Sequence, residues 1–420
     1  MVKSRVQFNI ADLLYLYMVV YFTCKFADFI PIFRILITGI CAFFIVCFKA
    51  NDIIFSKNIL NRASVYLILY IFITFTIYIF KIENDRYWNI VDNSIKILIL
   101  CVLCAYFETT SSDFQKSVLR LSLFGYFLTM LSTLFNAIID PTILRATASR
   151  EVTSKIILGL GGYDFIYGLV IVNILFTVYL AKRVISQNRF FYVLFIILNT
   201  LTIILSGYTT ATILNIIFIL IALISCSKIN VLFSMIILIF LFVSPWLLPN
   251  AILAFSKFGF VPEIISERLN EIALFLSGSK ESLTYFEESG ERGERLSYSL
   301  QMFFKHPIMG NFLTEKDCVF GEHTEWIDRL AQFGILIVML ILAFWCCKYK
   351  AAKKKLKNNS ITTLAVNISY FYFIVLGFLN PISYALTVFP LLFLVPYLHI
   401  LFLKDDENTE LEDNSMEAPS

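Results

Sequence analysis

The chain has 420 residues, enough for two or three ordinary soluble domains, yet 59% of them are hydrophobic and only 15% charged. Soluble domains run near about 45–50% and about 25%, so this much apolar surface excludes a water-soluble particle and makes the chain a polytopic membrane protein. The formal net charge of +3 gives no indication of a nucleic-acid partner.

A hydrocarbon core about 30 Å thick takes about 20 apolar residues of helix. Stretches close to that length lie at 9–24, 30–48, 64–81, 90–107, 118–139, 163–181, 190–206, 209–226, 229–248, 327–347, 361–379 and 384–403. The expected fold class is therefore all-α, a polytopic integral membrane protein of about twelve transmembrane helices. Lys3 and Arg5 lead into the first stretch with no small-residue cleavage site, which reads as a permanent span and not a signal peptide.

Orientation follows from Lys and Arg in the short connections. With the N-terminus inside, the inner segments collect Lys49, Lys57, Arg62, Lys116, Arg120, Lys182, Arg183, Arg189, Lys228 and the cluster Lys348, Lys350, Lys353, Lys354, Lys355 and Lys357. The outer segments and helix ends keep fewer, among them Lys25, Arg34, Lys96, Arg145 and Arg150. Both termini are expected in the cytoplasm.

Four regions result. Residues 1–248 hold nine spans with a smaller external loop at 140–162; residues 249–326 form a large external loop; residues 327–403 hold three more spans; residues 404–420 are an acidic cytoplasmic tail, expected to be disordered. No internal repeat is visible. In the large loop, 264–276 reads as an amphipathic helix with Glu263, Glu267 and Glu271 at four-residue spacing, and 295–305 as a second helix that Pro307 ends. Between them 277–293 reads as turn-rich, with Gly278, Gly290 and Gly293. The loop has too few apolar residues for its own core and is expected to form a small helical cap on the membrane.

Nine cysteines give no disulfide framework, because only Cys318 falls in the large loop. Cys101 and Cys104 form a Cys-x-x-Cys inside an apolar stretch, where two buried thiols are favoured over a redox pair. Asp164, Asn136, Asn173, Asn199 and Asn215 lie within spans and are expected to face protein or water, because facing lipid is costly.

The segment from Arg292 to Gly334 reads Glu291-Arg292-Gly293-Glu294-Arg295-Leu296, then Lys305-His306-Pro307-Ile308-Met309-Gly310, then His323, then Leu330-Ala331-Gln332-Phe333-Gly334. An arginine, an amphipathic helix, a Pro-x-x-G turn, and an external histidine before the glycine that opens the next span occur in that order. This resembles the bacterial O-antigen polymerase (Wzy-type) and O-antigen ligase superfamily. Arg150 and Gly161 also fit an arginine-x10-glycine pattern of external loops in such polymerases. Ser206-Gly207-Tyr208 departs from it, standing where many members carry a Ser-Arg pair.

The resemblance implies a GT-C-like architecture and a metal-independent glycosyltransferase at the outer face of the bacterial inner membrane, with no cofactor. Its donor would be a polyprenyl diphosphate-linked oligosaccharide. For a polymerase the acceptor would be a second lipid-linked repeat unit, building O-antigen or capsular polysaccharide. For a ligase it would be a lipid A-core sugar. A chain-length regulator stays open as a further partner. The diphosphate asks for arginine, whose planar fork binds phosphate oxygens bidentately. The resemblance thus points to His323, Arg295 and Arg292 as catalytic, and to Arg150, Arg145, Arg268 and Arg329 as diphosphate-binding. The bland alternative makes Arg268, Arg292 and Arg295 ordinary partners of nearby glutamates. His306 precedes a proline in a turn, and His399 lies in the last span as a structural residue. No histidine spacing or Asp-x-Asp suggests a metal site. A transporter of the same lipid-linked sugar would call for paired intramembrane charges and pseudo-symmetric halves, and the sequence displays neither.

Overall fold

The structure, a computed structural model, describes residues 9–27, 34–48, 62–80, 85–140, 142–144, 159–185, 188–226, 253–254, 266, 270, 287–311, 324–356, 359–382 and 388–402. Among these residues there are helices and no strands. In chain order they are α1 (Ile10–Thr23), α2 (Arg34–Phe48), α3 (Arg62–Phe80), α4 (Asp85–Thr109), α5 (Ser112–Ile139), α6 (Tyr163–Ala181), α7 (Arg189–Leu205), α8 (Thr209–Cys226), α9 (Glu287–Lys305), α10 (Glu325–Lys355), α11 (Ser360–Leu379) and α12 (Val388–Leu394). A 3-10 helix, Val395–Leu401, continues α12.

Seven of the described helices are long and apolar enough to cross a membrane: those within α3, α4, α5, α6, α8, α10 and α11. Shorter apolar helices are Ile10–Thr23, Arg189–Leu205 and Val388–Leu401. The expected span at 229–248 lies outside the described residues, as do Arg145, Arg150, Arg268, Cys318 and His323. The helical segments begin where sequence provides caps. Asn9 accepts from the Asp12 amide while Asp12 accepts from the Asn9 amide, closing a capping box on α1. Ser111 caps α5 through the Phe114 amide, and Asn359 caps α11 through the Thr362 amide.

Helix α6 is the axis of the bundle. It is apolar on every face, from Phe165 to Tyr179 it is buried throughout, and α7, α8, α11 and α12 surround it. A helix apolar all round belongs in an interior, and the exposed apolar residues sit instead on outer helices, such as Phe43, Phe72, Phe135, Ile197 and Phe371. Lipid is the solvent that such a surface fits.

The polar residues of these helices turn inward. Asn173 of α6 donates from Nδ2 to Asn215 Oδ1 of α8 at 2.8 Å, and Asn199 Nδ2 of α7 donates to Asn173 Oδ1 at 3.1 Å. Thr200 Oγ1 accepts from both Asn173 and Asn215, at 3.3 and 3.2 Å. Three helices are thereby pinned in register by amides that could not face lipid.

Two expectations need correction. Helix α9 starts at Glu287, not near 295, and runs straight through Gly290 and Gly293. Each interior glycine costs roughly 0.5–1 kcal/mol. The packing of α9 on α10 stands against that cost. Charge pairs also occur. Lys25 Nζ bridges to Asp164 Oδ2 at 2.9 Å between the end of α1 and the start of α6, Arg329 pairs with Glu325, Lys96 with Asp92, and Lys355 with Glu108. Sequence distance hides the pairs that bring remote helix ends together. All but Lys96 and Asp92 sit within about a turn or so of a helix end or of a break in the helix.

The groove between α3, α4, α10, α11 and α12 contains two cavities. One of about 40 Å³ lies toward the N-terminal end of α10, and one of about 310 Å³ toward its C-terminal end. Trp345 stands between them. Its ring is 4.7 Å from that of Phe373, 5.5 Å from Phe389 in a stacked arrangement, and 6.2 Å from Phe393. Trp345, Phe373 and Phe389 line the first cavity and Phe393 the second.

Candidate functional site

Helix α9 ends where sequence expects. His306 amide nitrogen still bonds back to Met302, and Pro307 allows no continuation. The chain then turns through Pro307, Ile308, Met309 and Gly310 and comes to rest on α10. There α10 is broken: Gly334, at φ 69° and ψ 176°, interrupts the helix between Phe333 and Ile335. The freed amides after the break are taken by the turn. Ile335 N donates to Pro307 O at 2.9 Å and Leu336 N to Ile308 O, while Asn311 N donates to Ala331 O at 3.0 Å. The glycine expected to open the next span lies instead inside α10, nine residues after its start, where it changes the backbone direction and the Pro-x-x-G turn fills the gap.

Only glycine fits at either point. Gly310 has φ +72°, and a Cβ there would stand 2.4 Å from Gly334 N and 2.5 Å from Gln332 O. A Cβ on Gly334 would stand 2.3 Å from Ile308 O and 2.4 Å from Gly310 N. The two backbones are in direct contact.

The short helical segment before the break, from Glu325 to Phe333, is clamped to α9 and to α11. Asp328 accepts from its own N-cap amide, Thr324 N, at 3.2 Å and from Ser299 Oγ of α9 at 2.7 Å. Trp326 Nε1 donates to Ile374 O of α11 at 2.9 Å, its indole seated over Gly377, where a Cβ would lie 2.3 Å away. Asn311 Nδ2 rests 3.2 Å from Met302 Sδ, closing the turn against α9.

Arg329 is at the centre of this segment and is buried. Its Nε donates to Glu325 Oε1 at 2.8 Å, its Nη1 to Gln332 Oε1 at 3.4 Å, and its guanidinium carbon lies 5.9 Å from the Phe333 ring centre. Tyr70 of α3 and Asn93 and Ser94 of α4 join Glu325 and Arg329 around the 40 Å³ cavity. A fixed cation with hydrogen-bonding neighbours thus sits just beneath the attachment of the large loop. Its size admits a water or two and no sugar.

The other expected site residues are distributed as follows. Arg292 and Arg295 lie in α9, seven and four residues before Ser299, so the clamp to Asp328 holds the helix that carries them. His323 immediately precedes Thr324, and Arg145, Arg150 and Arg268 are likewise outside the described residues. His306 is half-buried in the turn that Gly310 completes. Gly161, the partner of Arg150 in the spacing pattern, is fastened to α5: its amide donates to Thr133 Oγ1 at 2.8 Å, and a Cβ there would meet the Phe165 ring at 2.2 Å.

Near that second loop lies a tyrosine group that sequence reasoning passed over. Tyr163 and Tyr167 of α6 stand with Tyr208, ring centres 4.7 to 6.4 Å apart, and Tyr208 donates its hydroxyl to Leu144 O at 3.1 Å. Tyr208 follows the Ser206-Gly207 turn where the resemblance calls for an arginine, and Gly207 has φ +71°. The Tyr-x3-Tyr spacing on α6 was its only trace in the sequence. Among the described residues, no group of three or more His, Cys, Asp or Glu stands together as a metal site. Neither models of known protein families nor curated protein sequences match this chain.

Proposed function

We propose that the protein is a metal-independent glycosyltransferase of the O-antigen polymerase type, joining polyprenyl diphosphate-linked oligosaccharide repeat units at the outer face of a bacterial inner membrane. In this reading twelve spans place both termini in the cytoplasm and the 249–326 loop in the periplasm. The observation that carries it is the interlock of the Pro307–Gly310 turn with Gly334. It gives the Pro-x-x-G turn and the span-opening glycine, two separate parts of the motif, a single physical purpose. That purpose is to hold an arginine-bearing helix and the residues next to His323 at one membrane end.

The chemistry asked of these residues is modest. A diphosphate is already a good leaving group, so the protein has to bind its charge and present an acceptor hydroxyl. Arg292 and Arg295 supply forks for phosphate oxygens. His323 accepts the proton of the attacking hydroxyl. Arg145, Arg150 and Arg268 add positive potential; the charge of Arg329, the fourth arginine of this set, is already paired with Glu325, so it holds the segment below the loop in place. An O-antigen ligase would use the same donor site with a lipid A-core acceptor.

The test is chain extension in membranes with a lipid-linked repeat unit. Arg292→Ala, Arg295→Ala or His323→Ala should abolish extension while the protein stays in the membrane at normal level. Full activity in all three removes the assigned site. Deletion of the protein should leave single repeat units on the final acceptor; full-length polymer retained on the lipid carrier would assign the ligase reaction instead.

A transporter for the lipid-linked sugar is the second reading, favoured by two cavities on one groove and by the Lys25–Asp164 pair between helices. It predicts that deletion leaves the unpolymerised donor on the cytoplasmic leaflet, whereas loss of a polymerase leaves it on the outer one.

A further inference from the structure

The larger cavity, about 310 Å³, opens among the start of α3, the ends of α4 and α10, and the last 3-10 helix. That is the end of the bundle with the lysine cluster of α10, which charge bias assigns to the cytoplasm. Three cations line it, Arg62, Lys348 and Lys355, against one carboxylate, Glu108. The carboxylate is already engaged: it holds the Lys355 ammonium and accepts from the Tyr397 hydroxyl. Among the described residues Arg62 and Lys348 have no carboxylate within ion-pair distance. The Lys348 ammonium lies 5.0 Å from the centre of the Phe393 ring, inside the cavity.

The described lining thus carries an excess of positive charge: the Lys348 ammonium rests on Cys101 and feels Glu108 from a distance, Arg62 is exposed at the cavity mouth, and an anion entering between them is attracted. The remaining walls are apolar, including Leu392, Phe393 and Pro396. The cavity also reaches Cys101, eight residues before the end of α4, about 12 Å of helix rise from that end. Its volume is at the small end of ligand pockets, which span about 300–1,000 Å³. This suits one tetrahedral anion and a short apolar extension.

We infer that this cavity binds a phosphate group between Arg62, Lys348 and Lys355, with the headgroup phosphate of an anionic lipid of the cytoplasmic leaflet as its source. Basic pockets between transmembrane helices on that side bind such headgroups, and the apolar wall accommodates the first part of an acyl chain. The site is at the opposite end of α10 from Arg329, and it stands or falls independently of the reaction proposed above.

The experiment uses the full chain purified in a neutral detergent, with phosphatidylglycerol, phosphatidylcholine and inorganic phosphate as probes. Bound lipid is read by native mass spectrometry and stability by thermal unfolding. The wild type should retain phosphatidylglycerol over phosphatidylcholine and gain several degrees from it. Lys348→Met and Arg62→Gln, singly and together, should weaken retention at least tenfold in the double variant. Lys354→Met, an exposed lysine of the same cluster outside the cavity, should leave it unchanged. An equal stabilisation by inorganic phosphate, lost in the double variant, upholds the phosphate site and makes the free anion its occupant. Retention without preference between the two lipids and no effect of phosphate overturns the inference. So does a preference that survives the double variant, or that disappears in Lys354→Met to the same extent. Should the double variant fail to purify, Lys348→Arg, which keeps the charge, is expected to keep the preference.

Discussion

Gly310 and Gly334 fix the contact between the turn after α9 and the break in α10. Each sits in the left-handed region, where an L side chain costs about 1–2 kcal/mol before any contact is counted. Each would also drive a Cβ into the other's backbone. Gly310→Ala and Gly334→Ala should therefore lower thermal stability in detergent and release α9 from α10, read as loss of chain extension and faster proteolysis at 287–311. Gly39→Ala is the control: nothing lies within 4 Å of a Cβ there, so its unfolding temperature should stay within a degree or so of wild type. Arg329 makes a different prediction. Glu325 and Arg329 form a largely buried pair, and removing one partner of such a pair costs about 3–5 kcal/mol. Arg329→Gln should unfold at markedly lower temperature, and adding Glu325→Gln should restore much of the loss. Both glycines and the four-residue Glu-Arg spacing were visible in the sequence. That Gly310 and Gly334 touch was not, because no periodicity reports a contact between a turn and a break inside a helix.

At the level of helices, apolar runs of span length located α3 to α8, α10 and α11 closely, since burial in lipid leaves a nearly uninterrupted signal. The signal fails where composition and context disagree. Helix α9 crosses two glycines that read as turns, and the last described helix tightens from α-helix to 3-10 helix at Val395, where Pro396 withholds an amide. The inward turn of Asn173, Asn199 and Asn215 followed from cost alone, but their meeting did not, because the three residues lie on separate helices. Their network yields a sharp expectation. Asn173→Leu strands two amide partners in an apolar interior, at about 1–3 kcal/mol each. The triple change of all three to Leu should cost less than the single one, as measured by unfolding of the purified protein. A triple variant less stable than Asn173→Leu would show that the amides contribute more than mutual satisfaction.

Across the whole molecule, the described helices form one bundle around α6, with a clamped, arginine-bearing helix at one end of α10 and a basic cavity at the other. Neither cavity was legible in the sequence, because its walls come from α3, α4, α10, α11 and α12, up to some three hundred residues apart. What lies between the cavities matters for the cell as much as what lies in them. Trp345, tilted against Phe373 and stacked on Phe389, stands between the two recesses, and in the bacterial inner membrane of the proposed function it would separate them across a stored electrochemical gradient. A continuous file of water through that point would short-circuit it. The aromatic cluster is in this sense an electrical insulator. Trp345→Ala combined with Phe389→Ala should make proteoliposomes leak protons several-fold faster, followed with an internal pH dye, and should slow growth of cells that express the variant.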